Sequence, residues 1–169
     1  DTDEKHLQEA KAVILKAKPY WAAFNASSYI KELTLGNIWI AHGYSNDMFQ
    51  ADLDAQAAKR KFRIVHALPK EGAVLALDSM VIHKSATRPD LAHMFINFML
   101  EGRNSADLTN MIGSGNPNQD AQQFIKPQIK QNKAVFPDPA GAKTLEMLKD
   151  LGAKQRRGLN KLWTEVKVK

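Results

Sequence analysis

The sequence contains no cysteine among its 169 residues. Disulfides and thiolate metal sites are therefore excluded, which suits either a cytosolic protein or a periplasmic one that folds without cross-links. No apolar run approaches the roughly 18 residues that a membrane-spanning helix needs. The opening residues, DTDEKH, have neither the basic start nor the apolar centre of a signal peptide. We therefore expect a soluble chain that is mature or trimmed.

Motifs for catalysis and metal binding are also missing. The five histidines are scattered, without the spacing of a metal-binding helix or a paired acid motif. There is no Gly-x-Ser-x-Gly turn, and the absence of cysteine removes the other common nucleophile. Residues 113–118, GSGNPN, lack the Lys and Ser/Thr of a phosphate-binding loop. We expect no enzymatic activity, no metal and no cofactor.

The composition is that of a folded protein, with 44% hydrophobic and 25% charged residues. A net charge of +6 would ordinarily favour an acidic partner. Basic residues cluster at 59–63 and 154–157. Because Lys and Arg are favoured in the last turn of a helix, we interpret both clusters as solvated helix ends. The alternative from another class is a module that binds nucleic acid through these two clusters.

Hydrophobic periodicity predicts an α/β order of elements. Strands are expected at residues 37–42, 63–68 and 73–82. Helices are expected at residues 3–18, 27–35 ending at Gly36, 47–61 with Asp47 as N-cap, 89–100, 103–112, part of 119–131, 140–149 and 154–168.

The loop after the first predicted strand carries the most informative side chains. Open α/β sheets bind ligands at the carboxyl ends of their strands, and turn residues at 43–46 place this loop there. Tyr44 offers an aromatic ring and Asp47 a carboxylate, a pair that suits a cationic amine better than an anion. Trp39 could be a further ring, but within a buried strand it is predicted to belong to the core.

Asp78 interrupts the apolar run at residues 73–82. An unpaired carboxylate in a buried strand would cost several kcal/mol. Asp78 must therefore lie at an opening, pair with a base, cap a turn or bind a ligand. The residues alone favour a structural role and a ligand role equally.

Three motifs together resemble the polyamine-binding periplasmic proteins of bacterial ABC importers, those for putrescine and spermidine. They are residues 43–51, GYSNDMFQA; residues 69–73, PKEGA, leading to LDS at 77–79; and residues 96–100, INFML. The closing residues 162–167, LWTEVK, also look like the last helix of that family. The likeness covers essentially the whole chain, which corresponds to the carboxyl-terminal part of a family member.

The resemblance implies a periplasmic-binding-protein-like (type II, venus-flytrap) α/β fold. Residues 1–76 would belong to the second lobe, residues 77–118 would cross to the first lobe, and residues 119–169 would return as closing helices. It further implies a receptor in the periplasm, or lipid-anchored outside the cytoplasmic membrane, that captures a polyamine. Its partners would be the polyamine and a membrane permease. Either the polypeptide was trimmed, or a second chain or copy supplies the missing lobe.

The resemblance also assigns ligand-binding residues. Tyr44 stands where the family has a tryptophan that stacks on the ligand, and Asp47 and Asp78 match two family carboxylates. Ser114 stands where the family has a tyrosine, and Ala76 where it usually has Trp or Phe. We therefore expect ligand contacts from Tyr44, Asp47, Asp78 and Ser114. The two lost rings leave open a different small cationic or anionic solute in the same fold.

Overall fold

Helices dominate the structure, a computed structural model that describes residues 3–168. The elements in chain order are α1 (Glu4–Ala17), α2 (Tyr29–Leu35), α3 (Ser45–Ala57), β1 (Ala73–Leu75), α4 (Pro89–Leu100), α5 (Gly102–Ile112), α6 (Pro127–Lys130), α7 (Pro139–Ala142), β2 (Leu145–Met147) and α8 (Ala153–Val168). Short 3₁₀ turns occupy Lys18–Tyr20 and Asp120–Gln123. Within the described residues, none of the helices combines the length and apolar character required to cross a membrane.

The described residues form two compact units. In the first unit, which runs to Ser27 and resumes at Lys149, α1 packs against α8. Lys11 forms an ion pair with Glu165. The Lys18 ammonium donates to the carbonyl of Val166 at 2.8 Å. Because the end of a helix carries partial negative charge, this cation stabilises the last turn of α8.

The second unit, Ser28–Leu148, contains two small apolar cores. The first core joins α2 to α3 and is formed by Tyr29, Leu33, Met48 and Ala51. The second core lies beneath α5 and is formed by Ala106, Ala121, Ile125 and Ile129. Because α3 also contacts α5, the helix that begins at Ser45 connects the two cores.

The second unit also holds a two-stranded parallel sheet. β1 pairs with β2 in a register that matches Ala73 to Leu145. Gly72 precedes β1 with a φ of +114°, and a Cβ there would lie 2.3 Å from the Thr144 carbonyl oxygen. Glycine is therefore required for the backbone to enter the sheet.

Most helix predictions are confirmed. α1, α2, α4, α5 and α8 each coincide with a predicted helix to within a few residues. Asp3 caps α1 by accepting a hydrogen bond from the Lys5 N–H at 2.9 Å. Gly36 ends α2 with a φ of +78°, as the predicted left-handed cap requires.

The strand predictions are largely wrong. Residues 37–42 and 63–68 are described throughout, and neither run forms a strand or has a ladder partner. Trp39 is consequently 80% exposed and is not a core residue. Of residues 73–82 only the first three pair in a sheet. The predicted helix at 140–149 is instead the end of α7 followed by β2, since Leu145–Met147 pairs with β1.

Two predictions about helix ends also need correction. α3 begins at Ser45 with Tyr44 as its N-cap residue, so Asp47 lies within the first turn and is not the cap. Residues 154–157 lie at the start of α8 and not in a last turn. The first turn of a helix disfavours positive charge, and these basic residues lie there. The hydrogen bond from Arg156 to the Asp150 carboxylate partly compensates for this unfavourable position.

Candidate functional site

The candidate site is the loop between α2 and α3 together with the first turn of α3. Tyr44 has extended backbone angles, φ −87° and ψ 154°, which turn the chain into the helix. Its carbonyl accepts the first helical hydrogen bond from the Met48 N–H at 3.2 Å. The ring of Tyr44 is not needed for the core, and the residue is 68% exposed. An aromatic face is therefore available to a ligand at this loop.

Asp47 lies half-buried in the same turn, and both of its carboxylate oxygens accept hydrogen bonds. The Tyr29 hydroxyl donates to Oδ2. The Asn46 side-chain amide donates to Oδ1 at 3.0 Å. The beginning of a helix favours negative charge, so α3 also stabilises the carboxylate. The arrangement holds one anionic group in a defined orientation beside the exposed ring of Tyr44.

Tyr29 is a site residue that sequence reasoning missed. Burial, followed by the hydrogen bond to Asp47, raises the pKa of Tyr29 from 10.0 to about 12. The nearby backbone of Tyr44 acts on the pKa of Tyr29 in the opposite direction, and this effect is smaller. Tyr29 therefore stays a neutral donor at physiological pH. No motif joins it to Asp47, and only its place on the buried side of a short helix could have suggested it.

Asp78 lies in the irregular segment after β1 and is exposed. No hydrogen bond or ion pair between its side chain and another residue of the 3–168 range is found, so it neither caps a turn nor pairs with a base there. Exposure removes the desolvation penalty that a buried carboxylate would carry. Ala76, in the same segment, is exposed as well. Among the described residues, no hydrogen bond or ion pair connects Asp78 with Tyr44, Asp47 or Ser114.

Ser114 follows the glycine that ends α5. Gly113 has a φ of +70°, and a Cβ at this position would lie 2.2 Å from Cγ of Phe49. The backbone at Gly113 therefore packs directly on Phe49 of α3. The backbone brings the half-buried Ser114 to the same helix as Tyr44 and Asp47.

Three further features of the described residues bear on other kinds of site. A cavity of about 350 Å³ lies between residues 66–68 and 132–141, and none of the four predicted ligand residues lines it. Across residues 3–168, His, Asp and Glu side chains form no group of three that could hold a metal ion. Arg63, in the first basic cluster, is engaged by Asp52 at 2.6 Å.

The fold is that of a class of solute-binding proteins. The family model described as "Bacterial extracellular solute-binding protein" matches residues 2–137, and the chain belongs to this family.

Among its relatives, a putrescine/cadaverine-binding protein of Pseudomonas aeruginosa is 64% identical over the whole chain, which covers 48% of that protein. The periplasmic putrescine-binding protein SpuD of Pseudomonas aeruginosa is 35% identical over 99% of the chain and 46% of the relative. A solved structure, the spermidine/putrescine ABC transporter substrate-binding protein PotD of Streptococcus pneumoniae, superposes with a TM-score of 0.80. It is 27% identical, with 99% of this chain and 50% of that chain covered.

These comparisons confirm the resemblance to polyamine-binding periplasmic proteins and the periplasmic-binding-protein-like α/β fold. They also confirm that the family is one of binding proteins and not of enzymes. The chain spans about half the length of the curated relatives it matches. The assignment of residues 1–76, 77–118 and 119–169 to lobes stays a prediction, as do the four ligand contacts.

Proposed function

We propose that the chain is part of an extracytoplasmic receptor that captures a polyamine, putrescine or spermidine, and delivers it to the permease of an ABC importer. The observation that carries the proposal is the 64% identity, over every residue of the chain, to a putrescine/cadaverine-binding protein. The receptor acts in the periplasm, or anchored by lipid outside the cytoplasmic membrane. The part of the fold that the relatives have in addition belongs either to the remainder of a longer polypeptide or to a second chain or copy.

The chemistry of the loop site supports a cationic ligand. An aromatic face such as that of Tyr44 attracts a nearby ammonium by about 0.5–2 kcal/mol, depending on desolvation. The Asp47 carboxylate forms a charge-assisted hydrogen bond to the same group. The positive end of the α3 dipole would repel a cation, and the negative charge of Asp47 offsets that repulsion. Ser114 contributes a hydroxyl from the neighbouring turn.

A diamine needs a second anion, and Asp78 supplies it. Asp78 has no partner among the described residues, so its carboxylate is available without breaking an existing contact. In our proposal the segment 77–118 belongs to the other lobe, so a diamine bound by Asp47 and Asp78 would join the two lobes. Ligand binding would then stabilise the closed state, because only that state offers both carboxylates.

The proposal is tested by isothermal titration calorimetry with putrescine, cadaverine and spermidine. Two samples are compared: the chain by itself, and a chimaera in which this chain replaces the aligned segment of the Pseudomonas aeruginosa putrescine/cadaverine-binding protein. The chimaera supplies the part of the fold that the relatives have in addition. We expect saturable diamine binding by the chimaera and weaker binding by the chain alone.

Variants then assign the contacts within the chimaera. Asp47→Asn and Asp78→Asn should each weaken putrescine binding at least about tenfold, or about 1.4 kcal/mol. The matched control is Asp107→Asn, a neutralisation at an exposed position of α5, which should leave affinity unchanged. A chimaera that binds none of the three polyamines contradicts the proposed function. Unchanged affinity in both site variants contradicts the assigned contacts.

A further inference from the structure

We propose that Tyr29 is a positioning residue that holds the Asp47 carboxylate in the orientation required to bind a ligand ammonium. The inference rests on the proposed function, because it assigns a task to Tyr29 within the same site. Tyr29 itself touches no ligand in this proposal. It acts through Asp47, to which its hydroxyl donates a hydrogen bond.

The first support is that Tyr29 is anchored by the core. The residue is only 8% exposed, and its ring packs with Leu33 of α2 and with Met48 and Ala51 of α3. A ring enclosed by two helices cannot change its rotamer without disturbing that packing. The hydroxyl is therefore a fixed point beneath the loop, whereas a donor at the surface would move with its own side chain.

The second support is the close fit of the loop over the ring. A Cβ at Gly43 would lie 2.6 Å from Cε2 of Tyr29 and 2.8 Å from Cε of Met48. Only glycine therefore allows the backbone to pass directly over this ring. The loop that carries the exposed side chain of Tyr44 therefore lies against the same ring whose hydroxyl donates to Asp47.

The third support is that Asp47 keeps capacity for a ligand. A carboxylate has about four acceptor positions. Tyr29 uses one on Oδ2, and Asn46 uses one on Oδ1. The remaining lone pairs can accept from an ammonium. Ordering a free side chain on binding lowers the affinity. Tyr29 removes that loss by ordering Asp47 before the ligand arrives.

The test removes the hydroxyl and keeps the ring. Tyr29→Phe in the chimaera should weaken putrescine binding about three- to tenfold, the loss expected when Asp47 must be ordered by the ligand. The matched control is Tyr20→Phe, which removes a hydroxyl from a tyrosine that is 89% exposed. The control should bind putrescine as tightly as the wild type. Thermal unfolding of both variants, followed by circular dichroism, establishes that each remains folded.

A double-mutant cycle separates positioning from a general structural effect. If Tyr29 acts through Asp47, Tyr29→Phe should change putrescine affinity less than twofold when Asp47→Asn is already present. A purely structural loss would persist in that background. Gly43→Ala gives an independent check, because its Cβ would displace the ring. It should weaken binding by at least as much as Tyr29→Phe.

The outcomes distinguish the two proposals. If the wild-type chimaera does not bind putrescine, both the proposed function and the inference about Tyr29 are contradicted. If the wild type binds and Tyr29→Phe binds equally well or more tightly, only the inference is overturned. An undiminished effect of Tyr29→Phe in the Asp47→Asn background overturns it as well.

Discussion

The carboxylate of Asp52 in α3 accepts hydrogen bonds from the segment at residues 63–64 and so holds that segment against the helix. Its Oδ1 accepts from the Ile64 N–H at 2.8 Å and from Nε of Arg63 at 2.9 Å. Its Oδ2 accepts from Nη2 of Arg63 at 2.6 Å. The hydrogen bonds from Arg63 lower the pKa of Asp52, and the Ile64 N–H acts in the same direction against the opposing effect of burial. The ionised form is therefore the one that stabilises the fold.

We predict that Asp52→Asn lowers the free energy of unfolding at neutral pH by about 1–2 kcal/mol, because a charge-assisted pair becomes a neutral one. The pKa of Asp52 is lower in the folded than in the unfolded chain. Its contribution is therefore present above the unfolded value of about 4 and is lost as the pH falls through the folded value. Urea denaturation between about pH 7 and pH 2 measures both effects.

The neutral variant should follow a flatter stability curve than the wild type. Because protonated Asp52 resembles Asn, the difference between the two proteins should shrink as the pH falls. Asp107→Asn, at an exposed position of α5, is the control and should leave stability unchanged. A difference that stays constant down to the acid limit would show that the charge of Asp52 does not stabilise the fold.

At the scale of single residues, the sequence indicates those site residues that lie close together along the chain. Tyr44 and Asp47 were singled out because an aromatic ring and a carboxylate lie on one loop, and the structure keeps them in one turn. Tyr29 could not be found in that way, since its partner Asp47 is 18 residues away along the chain. Trp39 was misassigned because an apolar ring in an apolar run was assumed to be buried.

At the scale of elements, the contact between α5 and α3 depends on a glycine. Gly113 ends α5 in a left-handed conformation, with a φ of +70°. A Cβ there would also lie 2.2–2.7 Å from three atoms of Phe49. A side chain at this position would therefore combine backbone strain with a steric clash in the contact.

We predict that Gly113→Ala lowers the free energy of unfolding by about 2 kcal/mol or more, the sum of the left-handed strain and displacement of the Phe49 ring. Thermal unfolding followed by circular dichroism measures the loss. Gly158→Ala is the matched control, since a Cβ at this position in α8 would meet nothing within 4 Å. There alanine should stabilise the helix by about 0.5–1 kcal/mol. Equal effects of both substitutions would contradict this account.

Helices were predicted better than strands for a physical reason. A helix forms its hydrogen bonds within one segment, so capping residues such as Asp3 and Gly36 and a local period define it. A strand needs a partner that its own sequence does not contain. Residues 62–68 alternate between half-buried and exposed, as strand residues do, yet they have no ladder partner. The strand prediction is wrong for residues 63–68 because pairing cannot be deduced from the residues of the segment alone.

At the scale of the whole molecule, the segments predicted as strands leave large apolar side chains in solvent. Ile40, Val65 and Val81 are each more than 80% exposed. Single exposed apolar residues are ordinary, but these belong to three apolar runs in one chain. The relatives are about twice as long as this chain. We expect the part of them that this chain does not match to cover these runs.

This expectation predicts a difference in surface hydrophobicity between the chain alone and the chimaera. Accessible apolar patches bind the dye 8-anilinonaphthalene-1-sulfonate, so the chain alone should enhance its fluorescence several-fold more than the chimaera at equal molar concentration. Trp39→Ser should reduce the signal of the chain and leave that of the chimaera unchanged, because the ring is accessible only in the former. Near-ultraviolet circular dichroism serves as the control for intact tertiary packing. If the chimaera binds as much dye as the chain, the additional part of the relatives does not cover these runs, and their exposure belongs to the complete fold.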